Sequence, residues 1–176
     1  MAISGIPGYG EVTFNSNRSR NFASPVLHAA QPERPPLHPG NPLCPSSASL
    51  LYHSMLRPLV PYTCRGVFWC QGESNVDDPA RYEDLFCRLI TAWREDWQAP
   101  QWPFYFVQLP EFDGPGDWDG LRAVQARIRH SVPFTGMAIG FDCGDKNDIH
   151  PRHKRQIGRR LADLAWKDLG LKPVEA

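Results

Sequence analysis

Gly66-Val67-Phe68-Trp69-Cys70-Gln71-Gly72-Glu73-Ser74-Asn75 is the stretch that decides the fold. Its first five residues form an unbroken apolar run of strand length, the pattern of a strand covered on both faces. The polar residues that follow include a glycine and fall where a strand hands over to a helix. Asp78 then supplies an N-cap and Pro79 the first helical turn. Tyr82, Leu85, Phe86, Leu89, Ile90 and Trp93 recur at i, i+3, i+4, i+7, i+8 and i+11, one apolar stripe. Arg81, Glu83, Asp84, Arg88 and Glu95 lie off that stripe, so the spacing predicts a helix with one buried side.

The pattern repeats downstream. Phe104-Tyr105-Phe106-Val107-Gln108-Leu109 reads as a second strand, closed by Pro110. A helix is expected from near Asp119, with Leu121, Val124 and Ile128 turned inward. Gly136-Met137-Ala138-Ile139-Gly140-Phe141 reads as a third strand running into Asp142-Cys143-Gly144-Asp145. A last helix is expected to open at Pro151, to bury Ile157, Leu161, Leu164 and Ala165, and to end at Gly170. Strands alternating with helices at this spacing imply a parallel sheet with helices on its faces. Three strands leave both sheet edges open, so the sheet is expected to be incomplete.

Upstream, Ser46 and Ser47 precede Leu50, Leu51, Ser54, Met55 and Pro58, predicting a short amphipathic helix stopped by Pro58 and Pro61. Residues 1–45 hold eight of the 18 prolines and show no period, which predicts an irregular, extended segment with one strand-like stretch at Glu11-Val12-Thr13-Phe14. The expected organisation is therefore a Pro-rich segment over 1–45 and an α/β domain over 46–172.

Composition excludes several functions. Nineteen basic residues balance nineteen acidic ones without a basic cluster, which argues against nucleic-acid or anionic-membrane binding. No apolar run approaches the ~20 residues of a membrane span. Met1-Ala2-Ile3-Ser4-Gly5 lacks the basic and apolar regions of a signal peptide, and nothing else in the sequence points to a compartment or an oligomeric state. Five cysteines, with no C-x-x-C spacing, read as reduced thiols, several at strand positions, rather than disulfides or a zinc site. No metal and no cofactor is expected.

In open α/β sheets ligands bind beyond the carboxyl ends of the strands. Two polar loops are expected there: Gln71–Asn75, and Asp148-Ile149-His150-Pro151. A histidine with a carboxylate nearby is the equipment of acyl transfer. Asp148 and Asp145 stand close in sequence to His150, and Glu73 lies between Gly72 and Ser74, where it is able to point into the crevice. His153 suggests a metal pair with His150, but no third ligand is placed beside them. Gly72-Glu73-Ser74-Asn75-Val76 approaches the nucleophile elbow G-x-S-x-G with Ser74 as nucleophile, yet Val76 replaces the second glycine. Gln71, Gly72 and Asn75 are candidate donors to an oxyanion. Arg122 and Gln125 share one helix face approximately and are candidates for a substrate role.

Several blocks together resemble the sialate O-acetylesterases and related carbohydrate acetylesterases, within the SGNH/GDSL hydrolase class. They are Leu51-Tyr52-His53-Ser54-Met55 with Pro58-Leu59-Val60-Pro61; Gly66 to Asn75; Trp102 to Leu109; Leu121-Arg122-Ala123-Val124-Gln125; and Gly144 to Lys154 with Gly158-Arg159-Arg160-Leu161-Ala162. The likeness runs from about Pro35 to Leu169, in order. It implies a three-layer α/β/α fold of SGNH, flavodoxin-like type, and a carbohydrate esterase that removes O-acetyl groups from sialic acid or a related sugar. It implies His150 as catalytic base, Gln71–Asn75 as the oxyanion and substrate loop, and Glu73, or second Asp148, as the acid. SGNH enzymes commonly place an aspartate three residues before the histidine, whereas here position 147 is Asn and the aspartate is Asp148. Their nucleophilic serine lies in an upstream G-Q-S-N block. Phe14-Asn15-Ser16-Asn17 approximates it without the glycine, which leaves Ser16 and Ser74 as candidates and suggests a chain incomplete at its N-terminus. A non-catalytic carbohydrate-binding relative, or a fragment completing its sheet with another chain, are the alternatives.

Overall fold

A computed structural model describes residues 2–3, 52–150 and 152–170. Strands β1 (Ala2–Ile3), β2 (Val67–Trp69), β3 (Phe104–Val107) and β4 (Thr135–Ala138) form one sheet in that order. Every pair is parallel, with Phe68 beside Tyr105 and Tyr105 beside Gly136. Helices α1 (Pro79–Asp96), α2 (Trp118–Ser131) and α3 (Lys154–Leu169) follow β2, β3 and β4 in turn. The expected α/β architecture is what the chain adopts.

Alternation along the strands sorts the core into two layers. Val67, Trp69, Phe104, Phe106 and Met137 meet α1 and α2 on one face. Tyr105, Val107 and Ala138 meet Ile157, Leu161 and Ala165 of α3 on the other, with Phe68 and Leu164 partly buried beside them. The first layer is aromatic: the Trp69 ring stacks on Phe86 at 5.7 Å and meets the Trp93 ring edge-on at 5.9 Å. Such pairs add about 0.5–1.5 kcal/mol beyond the area they bury. At the amino end of the sheet, buried Arg94 of α1 donates to the carbonyls of Trp102 (3.0 Å), Pro133 (2.9 Å) and Phe134 (3.0 Å). That one guanidinium ties α1 to the chain entering both β3 and β4.

The helix boundaries follow their caps. Asp78 accepts from the Arg81 N–H at 3.1 Å, and Asp117 from the Gly120 N–H at 2.8 Å, so α2 opens at Trp118. Gly170, at φ 62°, ends α3 in the left-handed conformation that glycine adopts without strain.

Four expectations need correction. The sheet edge beside β2 is not open, because Ala2 and Ile3 pair with Phe68 and Trp69; the strand-like stretch at Glu11–Phe14 lies outside the described residues. Tyr52–Leu56 form one π-helical turn and Arg57–Leu59 a 3-10 turn in place of a single amphipathic helix. Pro58 lacks the N–H an α-helix requires there, and the expected cap at Ser46-Ser47 is outside the described residues. Strand β4 stops at Ala138, since the backbone at Gly140 crosses Gln108 so closely that a Cβ would lie 2.1 Å from its carbonyl oxygen. Finally, α3 opens at Lys154 rather than Pro151. Asp145 accepts from the Asn147 N–H and Asp148 from the His150 N–H, both at 2.9 Å. These side-chain turns hold the backbone in a non-helical path.

Candidate functional site

Because the strands are parallel, the loops leaving β2, β3 and β4 emerge at one rim. The two stretches singled out in the sequence, Gln71–Asn75 and Asp148–His150, therefore share the carboxyl side of the sheet, separated by the exit of β3.

The β2 exit is held by a set of hydrogen bonds. The Tyr82 hydroxyl, buried on α1, donates to the Gln71 carbonyl at 3.2 Å. Burial, first of all, pushes the Tyr82 hydroxyl far up, so it stays a donor. The Gln71 side-chain Nε2 donates to Asn75 Oδ1 at 3.1 Å, and both residues are buried. Gly72 has φ 157°, and a Cβ there would press on Leu121 at 3.2 Å and Leu109 at 3.3 Å. Glu73–Asn75 make a single 3-10 turn, closed by the Asn75 N–H on the Gly72 carbonyl at 2.8 Å. Glu73 Oε2 accepts from the Gly72 N–H at 2.9 Å. Ser74 lies within that turn, and α1 begins only at Pro79, so the sharp strand-to-helix elbow that exposes a nucleophile is not built here. Val76 is buried, with its carbonyl accepting from the Asp117 N–H at 2.8 Å.

Cys70 precedes this loop. Its residue keeps an exposed side, yet its sulfur sits among enough protein atoms that the thiol is pushed up to about 11, with the Glu73 carboxylate adding to the shift and Lys154 opposing it. At neutral pH it is a thiol, not a thiolate nucleophile. Cys64, Cys70, Cys87 and Cys143 are free, and none of the four lies within a strand, contrary to the strand positions expected for several of them.

At the β3 exit, Gln125 is fully buried and spends both ends of its amide on backbone. Its Oε1 accepts from the Leu109 N–H at 2.8 Å and its Nε2 donates to the Val107 carbonyl at 3.2 Å. Arg122 donates to the Pro110 carbonyl at 3.0 Å and to Asp119 at 2.6 Å, and lies 5.1 Å from the Phe141 ring centre. Both side chains shape the rim.

Beyond β4, Phe141–Cys143 form a 3-10 turn. Asp142 is gripped by Arg160 of α3, which holds its carboxyl down to about 2. The Phe141 carbonyl accepts from the Glu111 N–H at 3.2 Å and the Lys146 carbonyl from the Asp113 N–H at 3.0 Å, lacing this loop to the β3 exit. Ile149 packs on the core layer that α1 and α2 cover. His150 is exposed, and its Nδ1 is 3.7 Å from the Asp148 oxygen that accepts its own N–H. Arg152 Nε lies 3.8 Å from the other Asp148 oxygen. Asp145 is engaged in its own turn with Asn147 and pairs with Asp148 in a single antiparallel bridge. His153 stands at the N-cap of α3. Ser16 lies outside the described residues.

Tyr82 and the Asp142–Arg160 pair went unrecognised in the sequence. Tyr82 reads as one more member of an apolar stripe, and an aspartate and an arginine 18 positions apart carry no local signal.

Comparison with known proteins gives one consistent result. The model of the carbohydrate esterase, sialic acid-specific acetylesterase family matches residues 46–167. The mouse sialate O-acetylesterase is 33% identical over 138 residues, covering 66% of this chain and 26% of the relative. The human sialate O-acetylesterase is 31% identical over the same length and shares. The chain thus spans about a quarter of the length of the curated relatives it matches. Among solved structures, a carbohydrate acetylesterase from Xanthomonas citri aligns with TM-score 0.63 and 38% identity, over 66% of this chain and 28% of that one. A protein from Arabidopsis thaliana aligns with TM-score 0.50 and 27% identity, over 61% and 45%. With the family match extending over most of the chain and the SGNH-type fold beneath it, the chain belongs to the sialic acid-specific acetylesterase family of carbohydrate esterases.

Proposed function

We propose that this chain takes part in hydrolysing O-acetyl esters on sialic acid or a related sugar by a Ser-His-acid mechanism. The observation that carries the reading is the family match over residues 46–167, combined with a parallel sheet whose carboxyl rim holds both Gln71–Asn75 and Asp148–His150. A serine hydroxyl attacks the acetyl carbonyl while His150 takes its proton. The bond to the sugar oxygen then breaks, and His150 returns the proton to that oxygen. Water, deprotonated by His150, attacks the acyl-enzyme, and acetate leaves with the serine restored. The negative oxygen of each tetrahedral intermediate is held by donors of the β2 exit loop, Asn75 foremost.

Glu73 is the preferred acid, Asp148 the second. For Glu73 to hold the imidazole, its carboxylate has acceptor capacity beyond the Oε2 bond to the Gly72 N–H. Asp148 is already beside His150 Nδ1, but it also carries the turn and faces Arg152.

A second reading, carbohydrate binding without turnover, is favoured by the placement of Ser74 within a 3-10 turn and by phenylalanine, at position 14, in place of the glycine two residues before Ser16. Acetate release from O-acetylated sialic acid, measured beside release from a chromogenic acetyl ester, separates the two. Turnover that falls about 10²–10⁴-fold in His150→Ala is the expected result. Undiminished turnover in His150→Ala would overturn the assignment. Glu73→Gln against Asp148→Asn identifies the acid, and Ser16→Ala against Ser74→Ala tests the two serine candidates. Binding of the acetylated sugar with no acetate released would leave the non-catalytic reading standing.

A further inference from the structure

The balance of 19 basic against 19 acidic residues over the whole chain conceals a local excess, contrary to the even spread expected from composition. Between Asp148 and Asp163 the chain carries five basic residues, Arg152, Lys154, Arg155, Arg159 and Arg160, and no acidic one. Two of the five are answered: Arg160 grips Asp142, and Arg152 faces Asp148 at 3.8 Å. Lys154, Arg155 and Arg159 are exposed, and none of them joins an ion pair among the described residues. The three begin four residues beyond His150 and run along about 7.5 Å of α3. Lys154 also stands within electrostatic reach of the β2 exit, where it opposes the upward shift of the Cys70 thiol. Stability does not explain this placement. The positive end of a helix dipole favours acids, and α1 and α2 each open on an aspartate cap. Helix α3 has no acidic residue in its first turn and sets Lys154 and Arg155 there instead. Departures of this kind from the locally favoured choice are expected where a chain meets its ligand.

We infer that Lys154, Arg155 and Arg159 form a cationic track for the carboxylates of sialic acids next to the acetylated one, so that the preferred substrate is a glycan bearing several sialic acids in a row. The inference rests on the proposed function for the identity of the sugar, and its test therefore includes a measurement that needs no turnover. A sialic acid is a carboxylic acid, and it keeps that charge when its hydroxyls carry acetyl groups. The sugar whose ester lies at His150 brings a single carboxylate, whereas three unanswered cations lead away from that histidine. Ile157, Leu161 and Ala165 take the core side of α3, which leaves Arg155 and Arg159, one turn apart, on the side facing solvent. The acids nearby are already engaged: Asp142 by Arg160, and Asp148 by the His150 N–H and Arg152. Attraction of this kind acts beyond contact distance, is weakened by salt, and lowers KM without acting on the acetyl carbonyl.

The experiment compares the full chain with the triple variant Lys154→Gln, Arg155→Gln, Arg159→Gln, in which every change is at an exposed position. Its Tm should equal or exceed that of the parent, because cations are removed from the start of a helix. A clearly lower Tm would mean that the charges serve the fold, and would overturn the inference. On O-acetylated oligosialic acid the variant should lose about ten-fold in kcat/KM, through KM, with a neutral chromogenic acetyl ester within about two-fold of the parent. The parent should favour the oligomer over the acetylated monomer and lose that preference as salt is added. An equal loss on the neutral ester, or no preference in the parent, overturns the inference. The second arm is a calorimetric titration with oligosialic acid that carries no acetyl groups. The parent should bind it about ten-fold more tightly than the variant does. No binding by the parent, or equal binding by the variant, overturns the track. Equally tight binding of a DNA duplex would mark a surface for polyanions in general and would overturn it too. Oligosialic acid bound through these three cations by a chain that releases no acetate would sink the proposed function and leave the track in place.

Discussion

Arg160 holds both carboxylate oxygens of Asp142, with its Nη2 on Oδ2 at 2.6 Å and its Nη1 on Oδ1. The same Nη1 donates to the Ile139 carbonyl at 2.6 Å. One side chain of α3 thereby fixes the turn that follows β4, and with it the start of the loop leading to His150.

This pair should be visible in acid. The Arg160 guanidinium holds the Asp142 carboxyl down to about 2, below the 3.8 of an unperturbed aspartate. A carboxylate whose folded value is depressed contributes stability above its unfolded value and loses it as pH falls through the folded one. The difference in Tm between the parent and Asp142→Asn should therefore be full above about pH 4, shrink below it, and vanish near pH 2. Equal Tm values at pH 6 would mean that the pair adds nothing, as exposed ion pairs often do.

Gln125→Leu keeps the buried volume but removes both partners of the β3 exit. The Leu109 N–H and the Val107 carbonyl would be left buried and unpaired, at about 1–3 kcal/mol each. A loss of roughly 2–6 kcal/mol in urea unfolding is expected from that count. A loss below 1 kcal/mol would mean that the two backbone groups find other partners.

Gly72→Ala tests the tightness of the candidate oxyanion loop. Its φ of 157° is rarely adopted with a side chain, and the added methyl would press on Leu121 and Leu109 at 3.2 and 3.3 Å. Strain of this kind costs about 1–3 kcal/mol. The variant should unfold at lower urea and lose esterase activity more than its stability explains. Parent-like values in both would place the loop away from the chemistry.

The sequence by itself determined the layered α/β fold, because its signals are local. The apolar run before Gln71, the stripe from Tyr82 to Trp93, the caps at Asp78 and Gly170 and the alternation of strand and helix each arise within a few residues. The same locality placed both polar loops at strand ends, and a parallel sheet then put them on one rim. Tertiary structure decided the rest. Where β4 ends depends on the Gln108 carbonyl crossing Gly140, a contact across 32 positions of chain. Where α3 begins depends on carboxylates choosing turns over helix. Whether Gln125 and Gln71 face ligand or protein depends on which buried groups need a partner, and side-chain amides serve either purpose equally well in a string of letters. Hydrogen bonds between distant residues leave no periodic trace, so the parts of the site that rest on them emerged only with the folded chain.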